Sequence, residues 1–253
     1  MNSSLRRYRQ LDPARIIETA ERLRQRISER FPSSGLAQIG IELEQITREA
    51  AHRSSIIRRP NTPLRLAIVV VVGLLAVIVF LFIRGINANT VEKHLSDALD
   101  VAQFAESALG TIVFLGAFLL FLVSLEIRFK RKRALDAIYE LRSLAHVVDM
   151  HQLTKDPEIM TGRGPATKSS PERKMTPFEL GRYLDYCAEI LSLIGKVSVV
   201  YLQGIQDAEV LESVDQIETL TTSLSRKIFQ KITLLDRIQN RLPPSTDSDP
   251  TPQ

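Results

Sequence analysis

Two apolar runs decide the fold: LAIVVVVGLLAVIVFLFI at residues 66–83 and SALGTIVFLGAFLLFLVSL at residues 107–125. Neither run contains a charged side chain, an asparagine or a glutamine. An α-helix rises about 1.5 Å per residue, so roughly 20 apolar residues cross the ~30 Å hydrocarbon core of a bilayer. The sequence therefore predicts an all-α protein in which residues 63–84 and 107–127 form a two-span transmembrane hairpin.

Basic side chains lie before the first run and after the second, at the ends of the hairpin opposite the connecting loop. The loop at residues 85–106 is acidic and contains a single lysine. The flanking cations are Arg48, Arg53, Arg58, Arg59 and Arg65 before the first run, and Arg128, Lys130, Arg131, Lys132, Arg133 and Arg142 after the second. Cations near span ends stay on the cytoplasmic side because their translocation is disfavoured. We expect an integral protein of a bacterial inner membrane, with both termini in the cytoplasm.

The basic cluster after the second run predicts contact with lipid. The members of the cluster stop translocation, and each can contribute about 1 kcal/mol of binding free energy to anionic head groups. They are Arg128, Lys130, Arg131, Lys132 and Arg133. The formal net charge of +4 is thereby concentrated beside the membrane. No nucleic-acid-binding module accompanies these cations, and no small-molecule substrate is evident. The bilayer is the expected partner, and nucleic acid is not.

The N-terminal segment, residues 1–62, predicts two short helices. Asp12 is a suitable cap and Pro13 suits the first helical position, and apolar residues then recur at helical spacing. Residues 32–35 (PSSG) break the pattern, and a second amphipathic stretch follows until Pro60. We expect these helices to be cytoplasmic.

The second run is predicted to continue as a helix into the cytoplasm. Residues 117–156 contain neither glycine nor proline, so residues 128–153 form a helical extension in this interpretation. An unbroken helix would project as a rod roughly 40 Å beyond the membrane. Residues 154–175 are rich in glycine, proline and serine and predict a flexible linker.

A cytoplasmic helical hairpin is predicted for residues 176–242. Thr176, Pro177 and Glu179 form a capping-box signature, and a later stretch has a four-three apolar repeat typical of coiled coils. Lys231 and Thr221 interrupt that repeat. Residues 243–253 predict a disordered tail. The interaction residues that we predict from the repeat are Val210, Val214, Ile217, Leu224, Ile228, Leu235 and Ile238.

The apolar stripe of this repeat must pack on something. It can pack within the chain, against the helix that begins after Thr176, alone or joined by the rod and the N-terminal helices. The alternative is a coiled coil with another chain or a docking groove for a partner. Short connections favour antiparallel neighbours within one chain. For the spans, small residues at Gly73, Gly110, Ala117 and Ser124 predict helix packing, which we assign to the two spans against each other.

Catalytic, cofactor-binding and metal-ligating groups are not predicted. His146 and His151 are five residues apart and point about 140° away from each other on a helix, which disfavours a shared metal with Asp149. Cys187 lies in an apolar stripe and is expected to be a small buried hydrophobe. We predict a non-enzymatic membrane anchor or scaffold whose cytoplasmic helices bind a second copy or a protein partner. The alternative is a subunit of a channel, transporter or mechanosensitive assembly.

Overall fold

The computed structural model describes residues 11–58, 98–157 and 175–241, together with 62, 66, 68–73, 76–77, 80 and 168. Its helices are α1 (Pro13–Arg30), α2 (Gly35–Arg58), α3 (Ala98–Leu153), α4 (Pro177–Leu202) and α5 (Ala208–Arg241). This confirms the all-α class. The predicted first span (63–84), the loop (85–106), the linker (154–175) and the tail (243–253) lie wholly or mostly outside the described residues.

The chain divides into two compact units. One comprises residues 59–133, and the other comprises residues 1–58 and 134–253. We call the described helices of the second unit, which are α1, α2, α4, α5 and residues 134–153 of α3, the bundle. α3 thus contributes residues to both units.

α1 and α2 form where the sequence predicts them. The side chain of Asp12 accepts a hydrogen bond from Ala14 N at 3.0 Å, and Pro13 occupies the first turn. The buried face of α1 consists of Ile16, Ala20, Leu23 and Ile27, spaced by four, three and four residues. α1 packs on α2, and Arg24 of α1 forms an ion pair with Glu44 of α2.

α4 is the central helix of the bundle. The predicted capping box is present, because Glu179 N donates to Thr176 Oγ1 at 3.2 Å and Thr176 N donates to Glu179 Oε2 at 2.8 Å. Beyond this first turn, α4 is buried on most of its circumference, and α1, α2 and α5 all pack on it. A helix that is apolar on most sides must be enclosed by others, which explains its position.

The predicted helix beyond the second run continues without a break to Leu153. Residues 134–153 of this extension pack into the bundle. Ala134, Leu141, Ala145 and Val148 have 0 % exposure. An ion pair between Arg53 of α2 and Glu140 of α3, at 2.9 Å, adds to this packing.

The apolar part of α3 has the opposite environment. One helix in the described part of the chain, Leu109–Leu153, is long and apolar enough to cross a membrane, and its apolar window is not buried inside the protein. Phe114 is 77 % exposed and Leu120 is 71 % exposed. The two-span hairpin is not confirmed, since this is the one candidate span found among the described residues.

Candidate functional site

The predicted interaction stripe on α5 lies inside the bundle. Ile238 is half-buried, and the six other members, Val210, Val214, Ile217, Leu224, Ile228 and Leu235, are at most 4 % exposed. α5 packs extensively on α4 of the same chain. Of the two packings that the sequence leaves open, the structure has the one within the chain, so this stripe is covered.

Lys231 interrupts the α5 repeat because its side chain caps another helix. Its Nζ donates a hydrogen bond to the backbone oxygen of Gln152, in the last turn of α3, at 2.8 Å. Burial lowers the pKa of Lys231, and the nearby carboxylates of Asp156 and Asp149 oppose that shift. The ammonium adds to the hydrogen bond that Lys155 N donates to the same oxygen at 3.1 Å, and a cation at a helix C-terminus interacts favourably with the helix dipole.

Gln152 is the most buried polar side chain at this end of α3, with 2 % exposure. Its Nε2 donates to Asp149 Oδ1 at 2.7 Å. Its Oε1 is buried and has no hydrogen-bond partner among the described residues. Leaving such an acceptor without a donor costs about 1–3 kcal/mol.

An open groove of about 350 Å³ lies between the end of α3 and α5, beside Gln152. We call it the α3–α5 groove. Leu153 and Leu234 provide apolar surface, and Lys227 and Lys231 provide positive charge. Its lining residues are Asp149, Gln152, Leu153, Lys227, Gln230, Lys231 and Leu234.

The buried thiol and phenol next to this site are not poised for chemistry. Cys187 has 0 % exposure, and burial raises its pKa to about 12, so the thiolate needed for nucleophilic attack is not formed near neutral pH. Burial also raises the pKa of Tyr183. The Tyr183 ring packs edge-on against Phe31 and carries the ammonium of Lys155 5.3 Å from its centroid. These groups fill and seal the core.

Thr221, the other interruption of the α5 repeat, also has a packing role. Its Oγ1 donates to Ile217 O at 2.9 Å within its own helix. A Cβ at Gly195 of α4 would lie 3.4 Å from this oxygen. Gly195 and Thr221 therefore face each other where α4 packs on α5.

Ion pairs hold the outer helices of the bundle to their neighbours. Arg26 of α1 pairs with Glu189 of α4 and also lies over the Tyr186 ring, 5.7 Å from its centroid. Burial of Glu44 opposes its ionisation, but hydrogen bonds from Arg48 and Arg24 outweigh this and lower the pKa of Glu44. The polar contacts of the bundle are therefore mainly structural.

The predicted membrane-packing residues lie on exposed surface. Gly110, Ala117 and Ser124 are exposed, and a Cβ at Gly73 or Gly110 would meet no described atom within 4 Å. Packing between the spans stays a prediction.

The basic cluster is only partly exposed. Lys130 is half-buried and pairs with Glu126 at 2.8 Å, and Arg131 is also half-buried. The cluster members with exposed side chains are Arg128, Lys132 and Arg133. Their contact with lipid head groups stays a prediction.

The histidines of α3 lie apart. His146 is exposed, whereas the His151 ring lies against Gly35, where a Cβ would overlap it. Asp149 accepts its hydrogen bond from Gln152. Among the described residues, no three His, Cys, Asp or Glu side chains form a group that could hold a metal ion.

The sequence does not predict the α3–α5 groove or the contact of Lys231 with Gln152, because both join distant parts of the chain. Lys231 at an apolar position of the repeat was the one available signal. No protein-family model, curated protein or solved structure matches this chain. The functional argument therefore uses the residues and their geometry.

Proposed function

We propose that this chain is an integral membrane protein that anchors a helical scaffold at the membrane surface. The observation that carries the proposal is the exposed apolar part of α3, where Leu109, Val113, Phe114 and Leu120 are each more than 60 % exposed. Exposed apolar surface costs about 25 cal/mol per Å² in water, and contiguous patches of this kind are rare on water-soluble monomers. A bilayer removes that cost.

The hairpin and its orientation extend this proposal. Residues 66–83 form an uncharged apolar run of 18 residues, similar in length to the 19-residue run in α3, and the loop between the two runs carries few cations. The positive-inside rule then puts the bundle, both termini and the basic cluster in the cytoplasm. A bacterial inner membrane is the setting that we propose.

A scaffold role for the bundle is supported by its chemistry. Its buried thiol is sealed, its half-buried Lys231 caps a helix, and its carboxylates in ion pairs hold helices together. Such groups support a binding surface rather than a reaction centre. A partner protein or a second copy would use exposed faces of the bundle, since the α5 stripe is covered.

Cysteine accessibility in intact cells tests the anchoring and its orientation. Single cysteines are introduced at Ser3, Asn89 and Ser245, and a membrane-impermeant maleimide is added before or after cell lysis. The parent chain is the matched control, because buried Cys187 should not be labelled in either state. We expect labelling before lysis at position 89 alone. Labelling of position 3 or 245 in intact cells, or release of the chain by alkaline carbonate, would contradict the proposal.

A second candidate function is a subunit of a channel, transporter or mechanosensitive assembly. The observation that favours this second candidate is that α3 runs unbroken from its apolar part to Leu153, so one helix belongs to both the apolar run and the bundle. Reconstitution of the purified protein in liposomes tests this candidate. Ion or solute flux above that of empty liposomes supports it, and flux equal to the empty control supports the scaffold.

A further inference from the structure

We propose that two copies of this chain associate side by side through the outward face of α3. Five exposed residues on this face recur at intervals of four, three, four and three, and they point within about 80° of one another on a helix. We call them the outer stripe: Tyr139, Ser143, His146, Met150 and Leu153. The inference rests on the proposed membrane anchoring, and it names the surface and the partner that the scaffold uses.

The outer stripe faces away from the rest of the bundle. Leu141 and Val148 are fully buried in the bundle, and they lie about 160–180° around α3 from Tyr139. Tyr139 itself is 58 % exposed, and Met150 is 67 % exposed. A second helix can therefore approach the stripe without displacing the bundle helices on which Leu141 and Val148 pack.

The four-three spacing of the stripe suits a parallel partner helix. Copies that are anchored in one membrane with the same orientation have parallel α3 helices in the same register. Each stripe residue then faces its own counterpart across a two-fold axis. The five stripe residues include no Asp, Glu, Lys or Arg, so this arrangement juxtaposes no like charges of these residues within the stripe.

Two oppositely charged residues continue the same repeat before Tyr139. Lys132 and Asp136 are exposed, and they point within about 60° of Tyr139 on the helix. Their positions differ by about 6 Å along the helix axis, a distance that a lysine side chain spans. In a parallel, in-register pair, Lys132 of one copy therefore reaches Asp136 of the other. The two reciprocal ion pairs offset the repulsion between each charge and its own counterpart.

The outward faces of α1 and α5 do not offer this complementarity. α1 exposes Arg15, Arg22 and Arg30 on one side, so a parallel pair would bring identical cations together. The exposed face of α5 is acidic from residue 209 to residue 218 and basic from residue 226 to residue 231. In register, each half of α5 would meet its own charge. Charge thus selects the outer stripe of α3 for a second copy.

Disulfide formation in isolated membranes tests the inference. One variant has Ser143→Cys in the outer stripe, and the matched control has Ser223→Cys on the exposed side of α5. Buried Cys187 should not react in either. After oxidation with copper phenanthroline, Ser143→Cys should give at least about fivefold more covalent dimer, because a disulfide needs Cα atoms within about 7 Å. Equal yields would show random collision and overturn the inference.

Light scattering of the purified chain in detergent gives a second measurement. Met150→Glu should raise the dissociation constant of the dimer at least about tenfold, because like charges that face each other across an interface oppose association. Phe229→Glu is the matched control, since Phe229 is 68 % exposed on α5, and its dimer should match that of the parent. A monomeric parent, or an unchanged dimer in Met150→Glu, would overturn the inference.

A charge swap tests the register of the two helices. Lys132→Glu should lower the yield of the Ser143→Cys dimer, and adding Asp136→Lys should restore it. Arg133→Glu is the matched control, because Arg133 is also exposed but points about 120° away from Tyr139. Equal losses in the Lys132 and Arg133 variants would show that the net charge of the basic cluster controls the yield, which would overturn the in-register pairing.

Carbonate extraction of the same membranes separates this inference from the anchoring on which it rests. A chain that stays in the membrane but gives no Ser143→Cys dimer overturns the inference alone. Release of the chain by carbonate contradicts the anchoring instead. A cross-linked product whose mass corresponds to a different protein, in place of two copies, would also overturn the inference.

Discussion

The two parts of α3 have similar helical backbones and opposite surroundings. In the apolar part, Phe114 and Leu120 are largely exposed, whereas in the bundle part Leu141 and Val148 are fully buried. The apolar part has large hydrophobic side chains on all sides, while the bundle part has them on one stripe beside Arg, Glu and Asp. The first pattern suits a uniform apolar solvent, and the second suits an interface between protein and water.

Truncating a leucine in each part gives the largest predicted contrast. Leu141→Ala should destabilise the bundle by about 2–5 kcal/mol, because it removes a fully buried side chain and leaves a cavity. Leu120→Ala is the matched control in the same helix, and we expect its effect on bundle unfolding to be below about 0.5 kcal/mol. Chemical denaturation in detergent, followed by circular dichroism, measures both. Equal losses of unfolding free energy in the two variants would contradict the proposed difference between the two parts of α3.

Removing the lysine cap should have a smaller effect at the end of α3. Lys231→Met keeps an apolar stem and removes one of the two donors to Gln152 O, since Lys155 N also donates to it at 3.1 Å, so we expect a loss of about 0.5–1.5 kcal/mol. Amide hydrogen exchange should also accelerate in the last turn of α3.

Lys227→Met is the control for the lysine cap, since Lys227 lies one turn earlier on α5 and is exposed. Its stability should stay within about 0.5 kcal/mol of the parent. If both variants exchange at the parent rate near residue 152, Lys231 does not cap α3.

Local signals in the sequence predicted several elements of the fold. Asp12 with Pro13 and Thr176 with Glu179 predicted two helix starts, because capping depends on residues a few positions apart. The spacing of Ile138, Leu141, Ala145 and Val148 also indicates an apolar stripe on residues 134–153, and these four side chains are buried. A one-sided apolar stripe requires a partner surface, and here the other bundle helices provide it.

The candidate site could not be predicted in the same way. The contact of Lys231 with Gln152 joins residues 79 positions apart, so no local pattern contains it. A lysine at an apolar repeat position indicates only that its ammonium must find an acceptor or water. Which carbonyl it reaches depends on the packing of α3, α4 and α5. The groove depends on the same packing.

The smallest predicted effect is a pH dependence of the stability of the bundle, which arises from the ion pairs of Glu44. Arg48 and Arg24 lower the pKa of Glu44 in the folded state below its ordinary value of 4.5. The ion pairs of Glu44 therefore stabilise the fold above that value, and this contribution is lost as the pH falls through the lowered pKa. Glu44→Gln should cost at most about 1 kcal/mol at pH 7, since the arginines are partly exposed.

Urea denaturation at several pH values between 7 and 3 measures this dependence. The stability difference between the parent and Glu44→Gln should shrink on acidification, because protonation removes the same charge as the substitution. Glu42→Gln is the matched control, since Glu42 is exposed on the same helix. A difference that stays constant down to pH 3 would show that shape or hydrogen bonding at Glu44, rather than its charge, stabilises the contact between α1 and α2.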